Sequence, residues 1–401
     1  MNTLPKIVKF CNICVQSNQR PGPSPEHKKK NKSIPTIGFS DGICDACRYY
    51  RDIKSKINWT KREKELSELC NKYRDKNAQY DVLVPGSGGK DSVYVSEILK
   101  NEYKMKPLTV TWAPHIYTDV GWKNFQSWNQ TGLDNILVTP NHKVHSTLTS
   151  LAFKNLVNPF QPFIIGQKIC APKIALKYGI KLIMYGENNA EARGNYKENL
   201  SPIMDMKHYT RKNNKTKLYY GGVFLENLKK YKISKSDMQI YVPPLKSEIV
   251  KNKVIVHFMS YYKKWSPQEN YYFAKKYSNF ETNTDGRSEG TYSKFSSLDD
   301  KIDGQHYYTM FIKFGQGRAM NDACRDIRDG FISRKEALLL MKKYDGEFPK
   351  KYFKEFLNYI NISEKEYWKI INKVRPKHLW TKKDGKWILK KKVWAIDLHQ
   401  I

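Results

Sequence analysis

No run of about 18 uninterrupted apolar residues occurs in this chain of 401 residues, which argues against an ordinary membrane-spanning helix. Met1 to Phe10 lacks the apolar stretch and small-residue cleavage site of a secretory signal, so a cytoplasmic location is expected. Acidic residues are scarce beside basic ones: 39 Asp and Glu stand against 71 Lys and Arg, a net charge of +32. Such an excess suits nucleic acid, anionic lipid or polyphosphate ligands. The lysines are spread along nearly the whole chain, however, with short clusters at Lys28-Lys29-Lys30 and Lys390-Lys391-Lys392. A dedicated RNA-binding face would more often gather Arg and exposed aromatics in one segment. A lysine-decorated surface is the plainer reading, and neither a membrane nor nucleic acid is expected as partner. Cysteines are also few, and the seven form no disulfide framework. Cys70, Cys170 and Cys324 are single and expected to pack as small side chains. What is plentiful is core material: hydrophobic residues are 40% and aromatics 13%, over more chain than one small domain needs.

The other four cysteines fall into two Cys-x-x-Cys pairs, Cys11/Cys14 and Cys44/Cys47, separated by a polar, basic stretch from Arg20 to Lys32 that should loop out. In a reducing compartment such pairs read as metal ligands, and four thiolates in tetrahedral reach make a structural Zn2+ site. A thioredoxin-like redox pair is the rival, but no βαβ pattern surrounds these cysteines. A closed four-thiolate site has no open position, so no catalysis is expected there.

Residues 1–58 are thus expected to be a zinc-binding segment, and 59–190 an α/β domain. A helix is predicted from Trp59 to Arg74, followed by strands over Asp81–Pro85, Leu108–Trp112, Asn135–Thr139 and Ile180–Tyr185. Helices are predicted between them over Val93–Asn101, Gly121–Thr131, Ser146–Leu156 and Pro172–Tyr178. This rhythm predicts a doubly wound parallel sheet covered on both faces. Past Glu187 the alternation stops, and residues 191–304 read as helices and long loops around a substrate, with Asn189 to Gly194 facing a sugar. Residues 305–401 read as helical. Ser333 with Glu336 and Ser363 with Glu366 are capping boxes, and Trp380 to Trp394 is a terminal hairpin turning at Asp384-Gly385.

The first predicted strand runs into Pro85-Gly86-Ser87-Gly88-Gly89-Lys90-Asp91-Ser92 and then a helix. An α/β sheet exposes backbone amides and the positive end of a helix dipole to phosphate at such a junction. Glycines let the backbone approach the anion, Ser87 and Ser92 can donate hydroxyl hydrogen bonds, and Lys90 supplies a compact cation. Asp91 is a candidate Mg2+ ligand. Asp follows the lysine, so this is not the Gly-x-x-x-x-Gly-Lys-Ser/Thr loop. The string Ser87-Gly88-Gly89-Lys90-Asp91-Ser92 instead resembles the PP-loop of the ATP pyrophosphatases, whose fold is of the adenine nucleotide alpha hydrolase-like type. That group binds ATP, releases pyrophosphate and transfers AMP to an oxygen.

The resemblance extends to the N-acetyl sugar amidotransferases of bacterial surface glycans, related to the lipopolysaccharide enzyme WbpG and the flagellin-modification enzyme PseA. The cysteine pairs, the loop, Tyr185-Gly186-Glu187-Asn188 and Ile312-Lys313-Phe314-Gly315-Gln316-Gly317-Arg318 carry it, the last running through Asp322, Asp326-Ile327-Arg328 and Gly330 into Ser333-Arg334-Lys335-Glu336-Ala337. It implies ATP-dependent conversion of an acetamido group on a (nucleotide-)sugar to an acetamidino group. The amide oxygen would be adenylated and displaced by ammonia, with AMP and pyrophosphate released, in lipopolysaccharide or flagellin glycan biosynthesis. Lys90 and Arg318 are candidates for charge stabilisation. Glu187, at a strand's carboxyl end, could orient ammonia, accept its proton or hold Mg2+. Arg318 and Asp322 alternatively form an i, i+4 surface ion pair, although the Gly315-x-Gly317 turn before them favours phosphate or substrate binding. Residue 2 is Asn rather than a nucleophilic Cys, and no cysteine sits in a nucleophile elbow. A separate glutaminase is therefore expected, and the resemblance implies one like the glutaminase and cyclase pair of imidazole glycerol phosphate synthase (HisH/HisF-like). A tRNA-modifying PP-loop enzyme of thiolase type is the alternative, supported by the positive charge and opposed by the lack of a catalytic cysteine pair.

Overall fold

Val82-Leu83-Val84 is an apolar run between the polar Asp81 and a proline–glycine stop, and it forms the central strand of the sheet. A computed structural model describes residues 4–22, 24–30, 36–188 and 200–397; the Asn189–Gly194 segment lies outside them. The main sheet has five strands: β1 (Val82–Pro85), β2 (Pro107–Trp112), β3 (Asp134–Val138), β4 (Leu182–Tyr185) and β5 (Ile255–Phe258). Their order is β3-β2-β1-β4-β5, and every pairing is parallel. Successive side chains leave a strand on opposite faces. Leu83, Ile183 and Val256 accordingly join one core with Ile165 and Ile169, while Val82, Val84, Leu182 and Met184 join another with Leu66, Val95 and Leu99.

The helices supply both covers: α1 (Trp59–Tyr73), α2 (Lys90–Glu97), α3 (Asp119–Asn129), α4 (His142–Leu156) and α5 (Gln161–Tyr178). The doubly wound α/β arrangement is therefore found, with two differences from the sequence reading. The helix expected to begin at Pro172 begins at Gln161 and runs through that proline. Ile165, Ile169, Ala171 and Ala175 are all buried, so packing offsets the roughly 3 kcal/mol a proline costs inside a helix. Gly166 allows the contact with β2, because a Cβ there would fall 2.1 Å from the Trp112 ring. Secondly, β5 arises inside the segment read as substrate loops, so the sheet continues past residue 190.

The region after residue 266 returns to helices: α6 (Pro267–Tyr277), α7 (Asp303–Phe314), α8 (Arg318–Asp329), α9 (Arg334–Tyr344), α10 (Phe353–Ile360) and α11 (Glu364–Val374). Ser333 and Glu336 close a full capping box on α9. Ser363 caps α11 by accepting from the Glu366 N–H, but the Glu366 carboxylate pairs with Lys154 at 3.0 Å rather than closing a box. The terminal hairpin pairs Trp380–Lys383 with Lys386–Leu389, and both turn residues, Asp384 and Gly385, have positive φ as a two-residue hairpin requires. It ends at Leu389, since Trp394 lies in the short helix Val393–Asp397.

Candidate active site and metal centre

Strand order reverses beside β1, with β2 on one side and β4 on the other. Open α/β sheets collect ligands outside the carboxyl ends of strands at such a switch point. The glycine loop leaves β1 and Glu187 lies just past β4, so the two flank one crevice. Gly88 has φ +83°, and a Cβ on it would come within 2.5 Å of the Phe125 backbone; on Gly86 it would come within 2.4 Å of Ser92 Cβ. These glycines are demanded by packing against α3 and within the loop. Gly89 differs: the nearest atom to its added Cβ is Ser87 Oγ at 3.6 Å, so this face is open to a ligand. The loop is braced inside by the Ser87 N–H donating to Ser92 Oγ (3.2 Å). The N–H groups of Gly88, Gly89, Lys90 and Asp91 find no acceptor among the described residues, and they stand at the positive end of α2.

Three carboxylates close the crevice from the other side. Residues 298–301 are stitched to the start of α3 by Thr118 N–H to Asp299 O (3.2 Å) and Lys301 N–H to Ile116 O (3.0 Å). This sets Asp299 against the loop, where Ser87 Oγ donates to its Oδ2 at 2.5 Å. Burial raises the Asp299 carboxyl against the pull of Ser87 and Lys90. Asp300 is held at 2.6 Å by His115 Nδ1 and at 2.7 Å by the His115 N–H. Asp303 opens α7 and lines the same cleft.

The sequence-predicted residues are placed as follows. Ser87, Gly89, Lys90, Asp91, Ser92, Glu187 and Arg318 all line one cleft of about 450 Å3. Lys90 Nζ meets Asp91 Oδ2 at 2.6 Å, and Asn270 on α6 donates to Asp91 Oδ1 at 2.8 Å, so both carboxylate oxygens have partners. Glu187 is ion-paired with Arg325 of α8. Arg318 makes the anticipated pair with Asp322, with Nε 3.0 Å from both carboxylate oxygens, and also donates to the Tyr307 hydroxyl. Arg318 lines the cleft, and the pair is partly buried rather than on an open surface. The glycine turn before Arg318 is not an anion site: the Gly317 N–H donates to Asp345 Oδ2 at 3.0 Å and the Met320 N–H to Oδ1 at 3.0 Å. Asp299, Asp303, Asn270 and Arg325 were not singled out from sequence. Three aspartates within five residues of a strongly basic chain were the available signal for the acidic wall.

A second, larger cavity of about 1050 Å3 adjoins the cleft. Lys28, Lys168, Lys207, Lys212, Lys246 and His208 line it, and Phe160, Phe163, Gln167, Lys168 and Asp303 belong to both spaces. Cys170 also lines the cleft, its thiol pushed up to about 12 by burial.

Cys11, Cys14, Cys44 and Cys47 come together and are buried, with their sulfurs all within 4.8 Å of one another. Metal–sulfur bonds of about 2.3 Å in a tetrahedron put sulfurs about 3.8 Å apart. Cys14 Sγ and Cys44 Sγ are 3.8 Å apart, so the donor set fits a metal ion. The amides of Cys44 and Gln16 donate to Cys11 Sγ (3.3 Å) and Cys14 Sγ (3.4 Å), as around bound thiolates. Cys324 is buried in the same cluster as these four, so it packs against the centre.

Residues 289–393 match the family model described as LPS biosynthesis protein WbpG-like, C-terminal domain. Over 101 residues, 25% of the chain, the sequence is 32% identical to an uncharacterized protein, MJ1599, of Methanocaldococcus jannaschii. That stretch spans 31% of the relative's own length. Among solved structures, the U34-tRNA thiolase NcsA from Methanococcus maripaludis with its [4Fe-4S] cluster is similar at 12% identity and a TM-score of 0.27, covering 91% of this chain and 100% of that one. Arg318, Asp303 and Arg325 fall within the WbpG-like region, which thereby forms a wall of the cleft.

Proposed function

We propose that this chain, which carries a WbpG-like C-terminal domain, is an ATP-dependent sugar amidotransferase of surface-glycan biosynthesis. The observation that carries the reading is the junction of two spaces. A glycine loop at a sheet switch point, with amides unpaired among the described residues, lines a cleft that adjoins a larger cavity lined by lysines. ATP would occupy the smaller space, with its pyrophosphate on the amides of Gly88 to Asp91 beside Lys90, Ser87 and Ser92. The acetamido group of a nucleotide sugar would enter from the larger one, its diphosphate drawn by the lysines.

An amide carbonyl is a poor electrophile, because its nitrogen lone pair is delocalised. Transfer of AMP to the carbonyl oxygen makes that oxygen a leaving group, and ammonia then attacks the carbon. Positioning and charge stabilisation supply most of the catalysis, with Lys90 and Arg318 as the stabilising cations. Glu187, tied to Arg325, would orient the groups around the reacting carbonyl. Mg2+ would accompany ATP near Asp91, and Zn2+ would occupy the four-cysteine centre. Ammonia would come from a separate glutaminase, and the reaction would take place in the cytoplasm.

A thiolase would need at the cleft either a cysteine pair or three cysteines holding an iron–sulfur cluster. Among the described residues Cys170 alone lines it, and Cys324 packs against the four-cysteine centre. The test is mass spectrometry on a panel of UDP- and CMP-linked diacetamido sugars incubated with ATP, Mg2+ and ammonium. The reading requires a product in which NH replaces O, and AMP in equal amount. ADP in place of AMP, or AMP formed only with tRNA, would sink it.

A further inference from the structure

The cleft and the larger cavity share a short stretch of wall, and one carboxylate stands on it. Phe160, Phe163, Gln167 and Lys168 form one side of this boundary, and Asp303 of α7 forms the other. If ATP occupies the cleft and an amide reaches in from the cavity, as proposed above, the carbonyl meets the α-phosphorus at this boundary.

The other acidic groups around the cleft are already committed. Asp91 holds Lys90 and Asn270, Glu187 holds Arg325, Asp299 accepts from Ser87, and Asp300 is held by His115. Asp303 lies near Ser297 and Arg318 and otherwise faces the two spaces. We propose that Asp303 is the general base of nitrogen transfer, taking a proton from ammonia as it adds to the adenylated amide carbon.

The step balances without a further reactant. The nitrogen lone pair forms the new C–N bond, and one N–H proton passes to the Asp303 carboxylate. The electron pair of the C–O bond leaves with the oxygen of AMP, and the carboxylate returns its proton to solvent through the larger cavity. Several charged or titratable groups surround it: Arg318 of α8, Asp299 and Asp300 before the helix, His306 and Tyr307 one turn along, and Lys168 across the boundary. Burial pushes the carboxyl up to about 6, with Asp300 and Asp299 adding to the rise and Arg318 and Ser297 opposing it. A base acts best with a pKa near the working pH, and this one is ionised at neutrality.

The inference rests on the amidotransferase reading, and the experiment separates the two. Wild-type chain and the variants D303N and D303E are incubated with ATP, Mg2+, ammonium and the same sugar panel, and AMP and amidine are measured separately. In D303N, amidine formation should fall by roughly 100-fold or more. Sugar-dependent AMP release should continue, because the activated amide is still made and then hydrolyses. D303E should recover part of the amidine rate. The acidic limb near pH 6 in the wild-type profile should be missing from D303N. Hydroxylamine, a weaker base that sheds its proton more readily, should narrow the gap between D303N and wild type. An unchanged amidine rate in D303N, or AMP and amidine lost in equal proportion in both variants, would overturn the role. Absence of sugar-dependent AMP in the wild type would overturn the functional reading itself, and this role with it.

Discussion

Arg334 Nη1 donates to the carbonyl oxygen of Cys11 at 2.7 Å, joining residues 323 positions apart. The same nitrogen reaches the carbonyl of Cys14, so one guanidinium clasps the first cysteine turn to the start of α9. Arg328 of α8 lies beside the thiols, and the preceding turn of that helix carries Arg325 on Glu187. Helix α8 therefore spans from the metal centre to the cleft, with Arg318 at its cleft end.

Loss of the metal should be felt at the cleft. Chelation, or the variant C44S, should lower the thermal midpoint by roughly 5–10 °C and speed amide exchange in α8. R334A should reproduce part of the effect with all four ligands intact. Differential scanning fluorimetry and hydrogen exchange check this; unchanged exchange in α8 would sever the proposed link.

The loop gives a sharper expectation. G88A places a Cβ against the Phe125 backbone at a positive φ, so the loop must shift or α3 must give way. Nucleotide binding should be lost, with stability down by roughly 1–3 kcal/mol. K90A leaves the backbone intact but removes the cation, and should reduce AMP formation by about 100-fold or more with little change in melting temperature. Radiometric AMP release and calorimetric ATP binding would distinguish the two. Normal turnover in K90A would refute the assignment of the loop.

Legibility in the sequence divided along physical lines. Val82-Leu83-Val84, ended by Pro85-Gly86, is a short apolar run with clear punctuation, and strand, loop and helix are found there in that order, the helix starting at Lys90 rather than Val93. Ile255-Val256-His257-Phe258 is just as strand-like in length, but it contains a histidine and follows Lys251-Asn252-Lys253. Its place beside β4 is fixed by long-range pairing, Ile183 with Val256 and Tyr185 with Phe258. Pro172 misled because a proline usually marks a helix start, whereas here it is buried within a helix that packs on the sheet. The acidic wall was hidden for another reason. Residues 297–303 have no periodicity, and only the anchoring of residues 298–301 to residues 116–118 turns the segment toward the loop. The Glu187–Arg325 and Arg334–Cys11 pairs join distant segments, and no local pattern announces such contacts.

Asp345 supplies a pH-dependent expectation. Its carboxylate accepts from the Gly317 and Met320 N–H groups, capping α8 from another segment of chain. Burial raises it to about 6, with the two amides opposing and Asp322 adding to the rise. The folded state thus holds the proton more tightly than the unfolded chain does, so the stability this group contributes is fully present at acid pH and lost as pH rises through about 6. Relative to D345N, the wild type should lose stability between about pH 4 and 6. D345A removes the cap and should cost about 1–2 kcal/mol across that range. Urea unfolding at several pH values checks both, and parallel wild-type and D345N curves would exclude the linkage.

The larger cavity makes a prediction about charge rather than chemistry. Lys212 and Lys246 are exposed on its rim, away from the loop. If the acceptor carries phosphate, the double variant K212E/K246E should raise KM for it by roughly 10-fold while kcat stays near the wild-type value, since these contacts would be the same in ground and transition states. Added salt should raise the wild-type KM as well, and should affect the variant much less, because screening removes an attraction the variant has already lost. An uncharged acetamido sugar should show neither effect. Steady-state kinetics with matched charged and neutral acceptors decides the matter: equal KM values in wild type and variant would mean that the lysines serve the surface and not the substrate.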